Sequence, residues 1–126
     1  MIDLATTLSI HERLIDAYGG SKGIRDKGSL LAALARPYAT FDQQELYPTP
    51  SEKAAAIFES IIINHPFIDG NKRIAYLLML ITLDAFGFYI DATQDERYDM
   101  TISASKGIYR FEEIKQWLIA RIKNKD

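Results

Sequence analysis

The stretch of the sequence that is richest in reactive groups holds an imidazole, a carboxylate, a glycine, an amide and two cations, and it reads His65-Pro66-Phe67-Ile68-Asp69-Gly70-Asn71-Lys72-Arg73. A histidine imidazole accepts protons near neutral pH, which makes His65 the candidate general base for a hydroxyl. Asp69 is the candidate metal ligand, because magnesium binds through one or two carboxylates together with substrate phosphates. These residue types predict transfer of a phosphate-containing group to a hydroxyl.

The two cations, Lys72 and Arg73, fall in the first turn of a helix that is predicted to begin near Asn71. A helix start already carries partial positive charge and ordinarily favours acidic side chains. An anion that accepts bonds from the free helix amides and from Arg73 would explain both cations. Gly70 would let the backbone approach this anion, and Asn71 is a natural N-cap. We therefore predict a nucleotide-phosphate site here; Asp69 as a simple helix cap and Lys72 as a solvated cation are the alternatives.

A strongly apolar helix is predicted before this segment. It should start at Pro50, with Thr49 as its cap and Glu52 completing a capping box. It should end near His65, because Pro66 disfavours the helical conformation in the residue before it.

A second apolar helix is predicted after the segment, from about Asn71 to Phe86, with Gly87 as its C-terminal cap. The apolar stretch Ile74 to Ile90 is interrupted by polar residues and is short for a membrane span, so we interpret it as a fully buried core helix. The reactive segment would then be a loop between two central helices.

Four more helices complete the prediction, and together they indicate an all-α fold. They are expected over Leu4–Tyr18, Ser29–Arg36, Thr93–Lys106 and Phe111–Ile122. The basic run Arg121 to Lys125 should face the negative end of the last helix dipole. Residues Phe41 to Tyr47 lack a helical stripe and are either an extended flap or hairpin arm, or a plain connecting loop.

Composition bounds the class of protein. A chain of 126 residues can bury one sizeable core, so one domain over residues 1–126 is expected. The net charge of −2 offers no general basic field for direct nucleic-acid binding. The absence of cysteine excludes disulfides, thiolate metal sites and cysteine nucleophiles. Without a secretory signal or membrane span, we expect a cytoplasmic protein.

The segment from His65 to Arg73 resembles the signature motif of the Fic/Doc superfamily, and its Asn-Lys-Arg ending is similar to the death-on-curing (Doc) branch of bacterial toxins. Further similarities to that branch lie between about Leu4 and Phe88. They are Tyr18-Gly19-Gly20, Gly23-Ile24-Arg25-Asp26 with Gly28, Leu34-Ala35-Arg36-Pro37, and Leu46-Tyr47-Pro48-Thr49 followed by Glu52-Lys53-Ala54-Ala55.

The resemblance implies a compact Fic/Doc-type helical bundle with a short extended flap before the central helices. It implies His65 as the base that deprotonates the target hydroxyl and Asp69 as the magnesium ligand. ATP would be the co-substrate, and its phosphates would be bound by Gly70, Asn71, Lys72 and Arg73. In Fic proteins the flap aligns a target segment by strand addition, which the resemblance extends to the flap predicted here.

The resemblance leaves two reactions open. Doc-type members carry a lysine at the position of Lys72 and act as kinases in outcome, transferring the γ-phosphate to a Ser or Thr hydroxyl of a translation factor such as elongation factor Tu. Fic relatives generally transfer AMP, with glycine at the position of Lys72 and an arginine at that of Tyr76. Gly70 departs from the prototype Doc pattern, which has alanine there. We therefore predict a translation-inhibiting kinase, with AMP transfer as the alternative.

The resemblance also implies a protein partner. Fic enzymes that silence themselves carry a helix with a Ser/Thr and a Glu followed by Gly or Asn, and no such pattern occurs here. Inhibition would then come from a separate small antitoxin that folds against the toxin. A third hypothesis is a catalytically idle protein that binds its antitoxin and tunes transcription of their operon, although intact His65, Asp69 and Arg73 argue against it.

Other prominent residues are interpreted as structural. His11 has no reactive cluster near it in the sequence and is assigned to the surface or to packing. Phe67 and Ile68 are interpreted as apolar anchors that fix the loop on the core. Trp117 and the stretch Tyr76 to Leu83 are expected in the core.

Overall fold

The computed structural model describes residues 1–126, and 62% of them are helical. The expected all-α class is confirmed, with only four short strands added. The helices are α1 Leu4–Tyr18, α2 Lys27–Ala35, α3 Pro50–Asn64, α4 Asn71–Ala85, α5 Gln94–Ser105 and α6 Phe111–Ile119, with a 3-10 turn at Arg36–Tyr38. The strands are β1 Thr40–Phe41, β2 Gln44–Glu45, β3 Phe88–Ile90 and β4 Ile122–Asn124. None of the helices has the length and apolar character needed to cross a membrane.

The two central helices, α3 and α4, pack against each other, and α2 and α6 pack against α3. Alanines at 54–56 are fully buried, which allows neighbouring helices to approach α3 closely. From α4, Ile74, Leu78 and Leu83 enter the same apolar cluster, as does Trp117 from α6. The core therefore holds rigidly the two helices whose junction carries the reactive loop.

Local hydrogen bonds set the helix ends as predicted. Thr49 Oγ1 accepts a bond from the Glu52 amide at 3.2 Å, and Glu52 Oε1 accepts one from the Thr49 amide at 3.3 Å. The same reciprocal capping box joins Thr93 and Glu96 at the start of α5. Each such cap stabilises its helix by about 1 kcal/mol, which explains why these starts were predicted correctly.

Of the two interpretations of residues 41–47, the hairpin is confirmed. β1 and β2 pair antiparallel around a turn at Asp42 and Gln43, whose φ angles are 52° and 64°. Positive φ at both turn residues matches the twist of a two-residue hairpin. The buried Lys53 Nζ of α3 donates to the Tyr47 carbonyl oxygen at 2.6 Å and to Glu45 Oε1 at 2.8 Å. The flap is therefore anchored to a central helix.

The prediction for α2 was wrong at its start, whereas its end at Ala35 lies one residue from the predicted Arg36. The helix starts at Lys27 instead of Ser29, because Asp26 Oδ1 accepts a bond from the Ser29 amide at 3.0 Å and caps it earlier. The α-helix ends before Pro37, as predicted, but the chain continues in a 3-10 turn over Arg36–Tyr38. Pro37 lies at the start of that turn, a position where a missing amide hydrogen costs nothing.

The prediction of one buried helix over Ile74–Ile90 was wrong beyond Ala85. Gly87, with a φ of 84°, turns the chain into strand β3. β3 pairs antiparallel with β4, so the last helix ends at Ile119 and not at Ile122. Both strands have three residues and are paired across a long sequence separation, so no local alternation of apolar residues marks them.

The expected role of the basic tail is met by Arg121 alone. Its Nη1 donates to the Trp117 carbonyl oxygen in the last turn of α6 at 3.2 Å, and its Nε donates to Glu96 Oε2 at 2.8 Å. The rest of the tail was wrongly assigned, because Ile122–Asn124 forms β4. Arg121 therefore connects α6 with the start of α5.

A buried carboxylate ties the flap side of the molecule to α6. Glu59 of α3 is 6% exposed. Its Oε1 accepts from Arg36 Nη1 at 2.9 Å, and its Oε2 accepts from Arg110 Nε at 2.9 Å and from the Phe111 amide at 2.8 Å. The Arg36 guanidinium also lies 5.2 Å from the centroid of the Tyr47 ring. The Glu59 side chain thus connects α3 with the 3-10 turn and with the start of α6.

Candidate active site

His65 lies at the end of α3, as predicted, in a left-handed conformation with φ 47° and ψ 60°. Its amide donates to the Ile61 carbonyl oxygen at 3.1 Å, and its carbonyl oxygen accepts from Arg25 Nε at 2.7 Å. Arg25 Nη2 donates to the carbonyl oxygen of Asn64 as well. These bonds offset the cost of a left-handed backbone at a residue other than glycine. The backbone of His65 is therefore fixed, while the residue itself is exposed.

The loop after His65 is held by the segment that follows α1. The Arg25 and Asp26 amides both donate to the Pro66 carbonyl oxygen, at 2.7 and 3.0 Å, and the Ile68 amide donates to the Gly23 carbonyl oxygen at 3.1 Å. Gly23 has a φ of 118°, a conformation that favours glycine. Sequence reasoning identified this segment only as part of the family resemblance, and missed its role in positioning the reactive residues.

His11 of α1 packs against the same loop and forms a hydrogen bond with it. It is 2% exposed, and its ring stacks on that of Phe67 with centroids 3.8 Å apart. His11 Nε2 lies 2.7 Å from the Asp69 carbonyl oxygen, and since a carbonyl only accepts, Nε2 carries the proton. The packing assignment of His11 and the anchor assignment of Phe67 are confirmed. The anchor assignment of Ile68 was wrong: its side chain is 57% exposed, and the residue is tied to the neighbouring segment by its amide, which donates to the Gly23 carbonyl oxygen.

The carboxylate of Asp69 is held on both oxygens. Oδ2 accepts from the Ser21 amide at 3.1 Å, and Oδ1 accepts from the amide of Gly70 at 3.2 Å. It makes no capping bond to α4, whose N-cap is Gly70. The simple-cap interpretation of Asp69 was therefore wrong. Each oxygen of the Asp69 carboxylate keeps a lone pair that can bind a metal ion. No cluster of three or more metal-binding side chains exists in the molecule.

The first turn of α4 presents free backbone donors. Gly70, with a φ of 76°, is the N-cap, so the prediction that Asn71 caps the helix was wrong. Asn71 lies inside the first turn and braces the loop instead: its Oδ1 accepts from the Phe67 amide and its Nδ2 donates to the Phe67 carbonyl oxygen, both at 3.0 Å. The amides of Asn71, Lys72 and Arg73 make no hydrogen bond within the protein.

The two cations of this turn are exposed and have no carboxylate partner. Neither Lys72 nor Arg73 takes part in a salt bridge. The Arg73 guanidinium carbon lies 4.3 Å from the centroid of the Tyr18 ring, and both residues line the same cleft. The electropositive end of α4 is thus left without any negative group of the protein in front of it, apart from Asp69.

One cleft of about 820 Å³ brings all the predicted site residues together, and this volume is in the range of ligand sites. Its walls come from α1, the end of α3, the loop, α4 and α5. The predicted residues on the wall are His65, Asp69, Gly70, Asn71, Lys72 and Arg73. Asp69 is the sole acidic residue of the lining, against the cations Lys72, Arg73 and Arg97. A chain with negative net charge thus has a locally positive cleft.

The wall formed by α5 was missed by sequence reasoning, because no motif links it to the loop. It contributes residues that can donate hydrogen bonds, and they are Gln94, Arg97, Tyr98 and Thr101. Tyr76 and Leu77 of α4 are half-buried and line the same cleft. Tyr76 also packs against the apolar core, so the core assignment of the stretch from Tyr76 to Leu83 was wrong only for Leu77.

Comparison with known proteins gives the same family. Residues 1–83 match the model of the Fic/DOC family, and the chain therefore belongs to this family. The chain is also similar to the protein named Toxin Doc of Mycolicibacterium smegmatis, with 42% identity over 79 residues. That match covers 63% of this chain and 61% of the relative. Helices α1 to α3, the loop and almost all of α4 lie within the family match, and α5 and α6 lie beyond it.

Proposed function

We propose that the chain is a Doc-type toxin of a toxin–antitoxin system, which transfers the γ-phosphate of ATP to a Ser or Thr hydroxyl of a translation factor resembling elongation factor Tu, and so inhibits translation. The supporting observation is one cleft that unites an exposed histidine, a carboxylate and a cationic helix start with free amides. The name of the mycobacterial relative, Toxin Doc, supports the toxin role and, with it, a small antitoxin as the partner.

The start of α4 binds and orients the transferred phosphate. The amides of Asn71, Lys72 and Arg73 donate to its oxygens, and the side chains of Lys72 and Arg73 add charge-assisted bonds. The Arg73 guanidinium reaches the phosphate by leaving the face of Tyr18, which lines the same cleft. Preorganised donors of this kind are the main source of catalysis in phosphoryl transfer, because little covalent chemistry is required of the protein.

His65 activates the target. A nitrogen of its imidazole takes the proton of the target hydroxyl as the hydroxyl oxygen forms a bond to the γ-phosphorus. The bond from the γ-phosphorus to the bridging oxygen breaks, and ADP leaves with the electron pair. Because Arg25 and Ile61 fix the backbone of His65, the imidazole is attached at a fixed point of the cleft wall.

The donor set fits magnesium. Asp69 offers a fixed carboxylate and is the sole acidic group of the lining, which suits an ion that binds one carboxylate and takes its other ligands from phosphates and water. Magnesium held by Asp69 would neutralise negative charge on the phosphates. The bonds from Ser21 and Gly70 keep the carboxylate turned toward the start of α4.

AMP transfer is the second candidate, with the same residues and the nucleotide reversed, so that pyrophosphate leaves. The Fic-like Gly70 was the observation in its favour. In the structure, a Cβ at Gly70 would lie 3.2 Å from Ile15 Cδ1 and 3.4 Å from His11 Nε2, at a φ of +76°. Local packing therefore accounts for glycine without reference to the reaction. Lys72 and Tyr76, which stand where Fic relatives carry glycine and arginine, favour the kinase.

The β1–β2 hairpin is the proposed docking place for the target. Phe41 is 75% exposed, and both strands are short and solvent-facing, so an extended segment can add to an edge of the hairpin. The buried Lys53 holds the hairpin against α3, the helix that ends in His65. This connection fixes the hairpin on the same rigid element as the base.

The two reactions are separated by the position of a label. Purified protein, magnesium and ATP labelled at either the α or the γ phosphate are added to cell lysate, and labelled proteins are counted after electrophoresis. We expect label from the γ position only. Label from the α position would establish AMP transfer, and no protein label from either would favour the catalytically idle antitoxin-binding regulator.

A further inference from the structure

One buried side-chain polar atom in the molecule has no hydrogen-bond partner, and it is the hydroxyl oxygen of Tyr76. Buried polar groups are nearly always paired, so an unpaired one in a ligand cleft points to a partner outside the protein. Burial raises the pKa of Tyr76, against a smaller lowering effect of Arg97. The hydroxyl therefore stays protonated and is available as a donor to an acceptor.

Arg97 of α5 is the charged neighbour of this hydroxyl. Its Nε donates to the Ala92 carbonyl oxygen and its Nη2 to the Ile90 carbonyl oxygen, both at 3.2 Å. These bonds hold the guanidinium in place but leave Nη1 free, and Arg97 has no carboxylate partner. Arg97 is thus fixed, half-buried and without a carboxylate partner, and it lies beside a tyrosine hydroxyl that has no acceptor within the protein. Together the two side chains offer a positive charge and hydrogen-bond donors to an anion.

The position of this pair along the cleft defines the ligand. Tyr76 follows Lys72 by four residues and Arg73 by three, so it lies on the same face of α4, one helical turn or about 5 Å further from the helix start. The cleft thus has two neighbouring positive regions. One is formed by Lys72 and Arg73 at the start of α4, and the other by Arg97 of α5 beside Tyr76. A monophosphate can satisfy one of them, whereas a polyphosphate chain can satisfy both.

We propose that Arg97 and Tyr76 form a second anion subsite, which binds a phosphate of the nucleotide other than the one held at the start of α4. The inference rests on the proposed function for its ligand, a nucleoside polyphosphate. It adds a binding role for α5, a helix outside the family match. The competing explanation is a purely structural Arg97 that braces the connection between β3 and α5 through Ala92 and Ile90.

The number of phosphates separates these explanations. Affinity for ATP is measured by titration calorimetry in magnesium buffer, and affinity for AMP by displacement of ATP, for the full chain and its Arg97→Gln variant. We expect Arg97→Gln to weaken ATP binding about tenfold to a hundredfold, the range of a charge-assisted hydrogen bond, and to change AMP binding much less. Arg13→Gln removes an exposed arginine outside the cleft and is the matched control, expected to change neither.

If the wild type binds ATP but Arg97→Gln changes ATP and AMP binding by the same factor, or changes neither, the subsite is overturned and the proposed function stands. If the wild type binds neither ATP nor AMP, both the second anion subsite and the proposed function are refuted. Tyr76→Phe tests the subsite without disturbing the backbone bonds of Arg97; we expect about threefold to tenfold weaker ATP binding with AMP unaffected. Unchanged ATP binding by Tyr76→Phe would refute the role of the hydroxyl.

Discussion

Replacing His65 with alanine is expected to slow transfer of label from ATP to the target protein by about a hundredfold to ten-thousandfold, the usual contribution of a general base. The residue is exposed and its side chain makes no hydrogen bond in the protein, so the fold and the binding of ATP should persist. The measurement is the initial rate of target labelling, together with growth of cells that express the chain without an antitoxin. Growth should slow with the wild type and recover with the variant.

A second substitution at His65 separates loss of the imidazole from disturbance of the left-handed backbone at this position. Asparagine adopts the left-handed conformation readily among residues other than glycine, and its amide side chain cannot act as a base near neutral pH. His65→Asn should therefore be as inactive as His65→Ala and as stable as the wild type. If either variant labels the target at the wild-type rate, or remains equally toxic, His65 is not the base.

Replacing Glu59 with alanine is expected to lower the free energy of unfolding by about 3–5 kcal/mol, the range observed when one partner of a buried ion pair is removed. The substitution leaves the Arg36 guanidinium half-buried without a counter-charge and removes the acceptor of Arg110 and of the Phe111 amide. Domains of this size have about 5–15 kcal/mol of stability, so the loss is a large fraction of the total. Urea denaturation followed by circular dichroism provides the measurement.

The control for this prediction is Glu12→Ala. Glu12 is exposed on α1 and forms no hydrogen bond or salt bridge, so its loss should change stability by no more than about 0.5 kcal/mol. A Glu59→Ala variant that unfolds at the same urea concentration as Glu12→Ala would show that the buried carboxylate does not hold α3, the 3-10 turn and α6 together.

Features encoded within a few residues were predicted well from the sequence. The capping boxes at Thr49 and Thr93 and the end of α3 before Pro66 depend on bonds that span three or four positions. The reactive segment His65–Arg73, its place between two central helices and the candidate site residues follow from the same local signals. These signals failed for Asn71, because whether a residue is the cap or lies just inside the helix depends on the conformation of Gly70.

Contacts between distant parts of the chain were not predictable from local patterns. His11 bonds to Asp69 across 58 positions, and Arg25 reaches His65 across 40. The pairing of β3 with β4 is likewise set by packing, and so is the position of Arg97 on the cleft wall. When a single histidine or arginine lies on a helix, the residues next to it in the sequence do not indicate which distant residue it will contact. What the structure adds is therefore mainly the support of the reactive loop and the second wall of the cleft.

The central claim is that a nucleotide phosphate binds at the free amides that begin α4. Amide chemical shifts of the isotope-labelled chain, followed by NMR during titration with magnesium and ATP, test it directly. We expect the amides of Asn71, Lys72 and Arg73 to show the largest shifts, to saturate together, and to lose their response in an Arg73→Gln variant at the same ATP concentration. If ATP binds while the shifts of these three amides do not change, the phosphate does not bind at the start of α4.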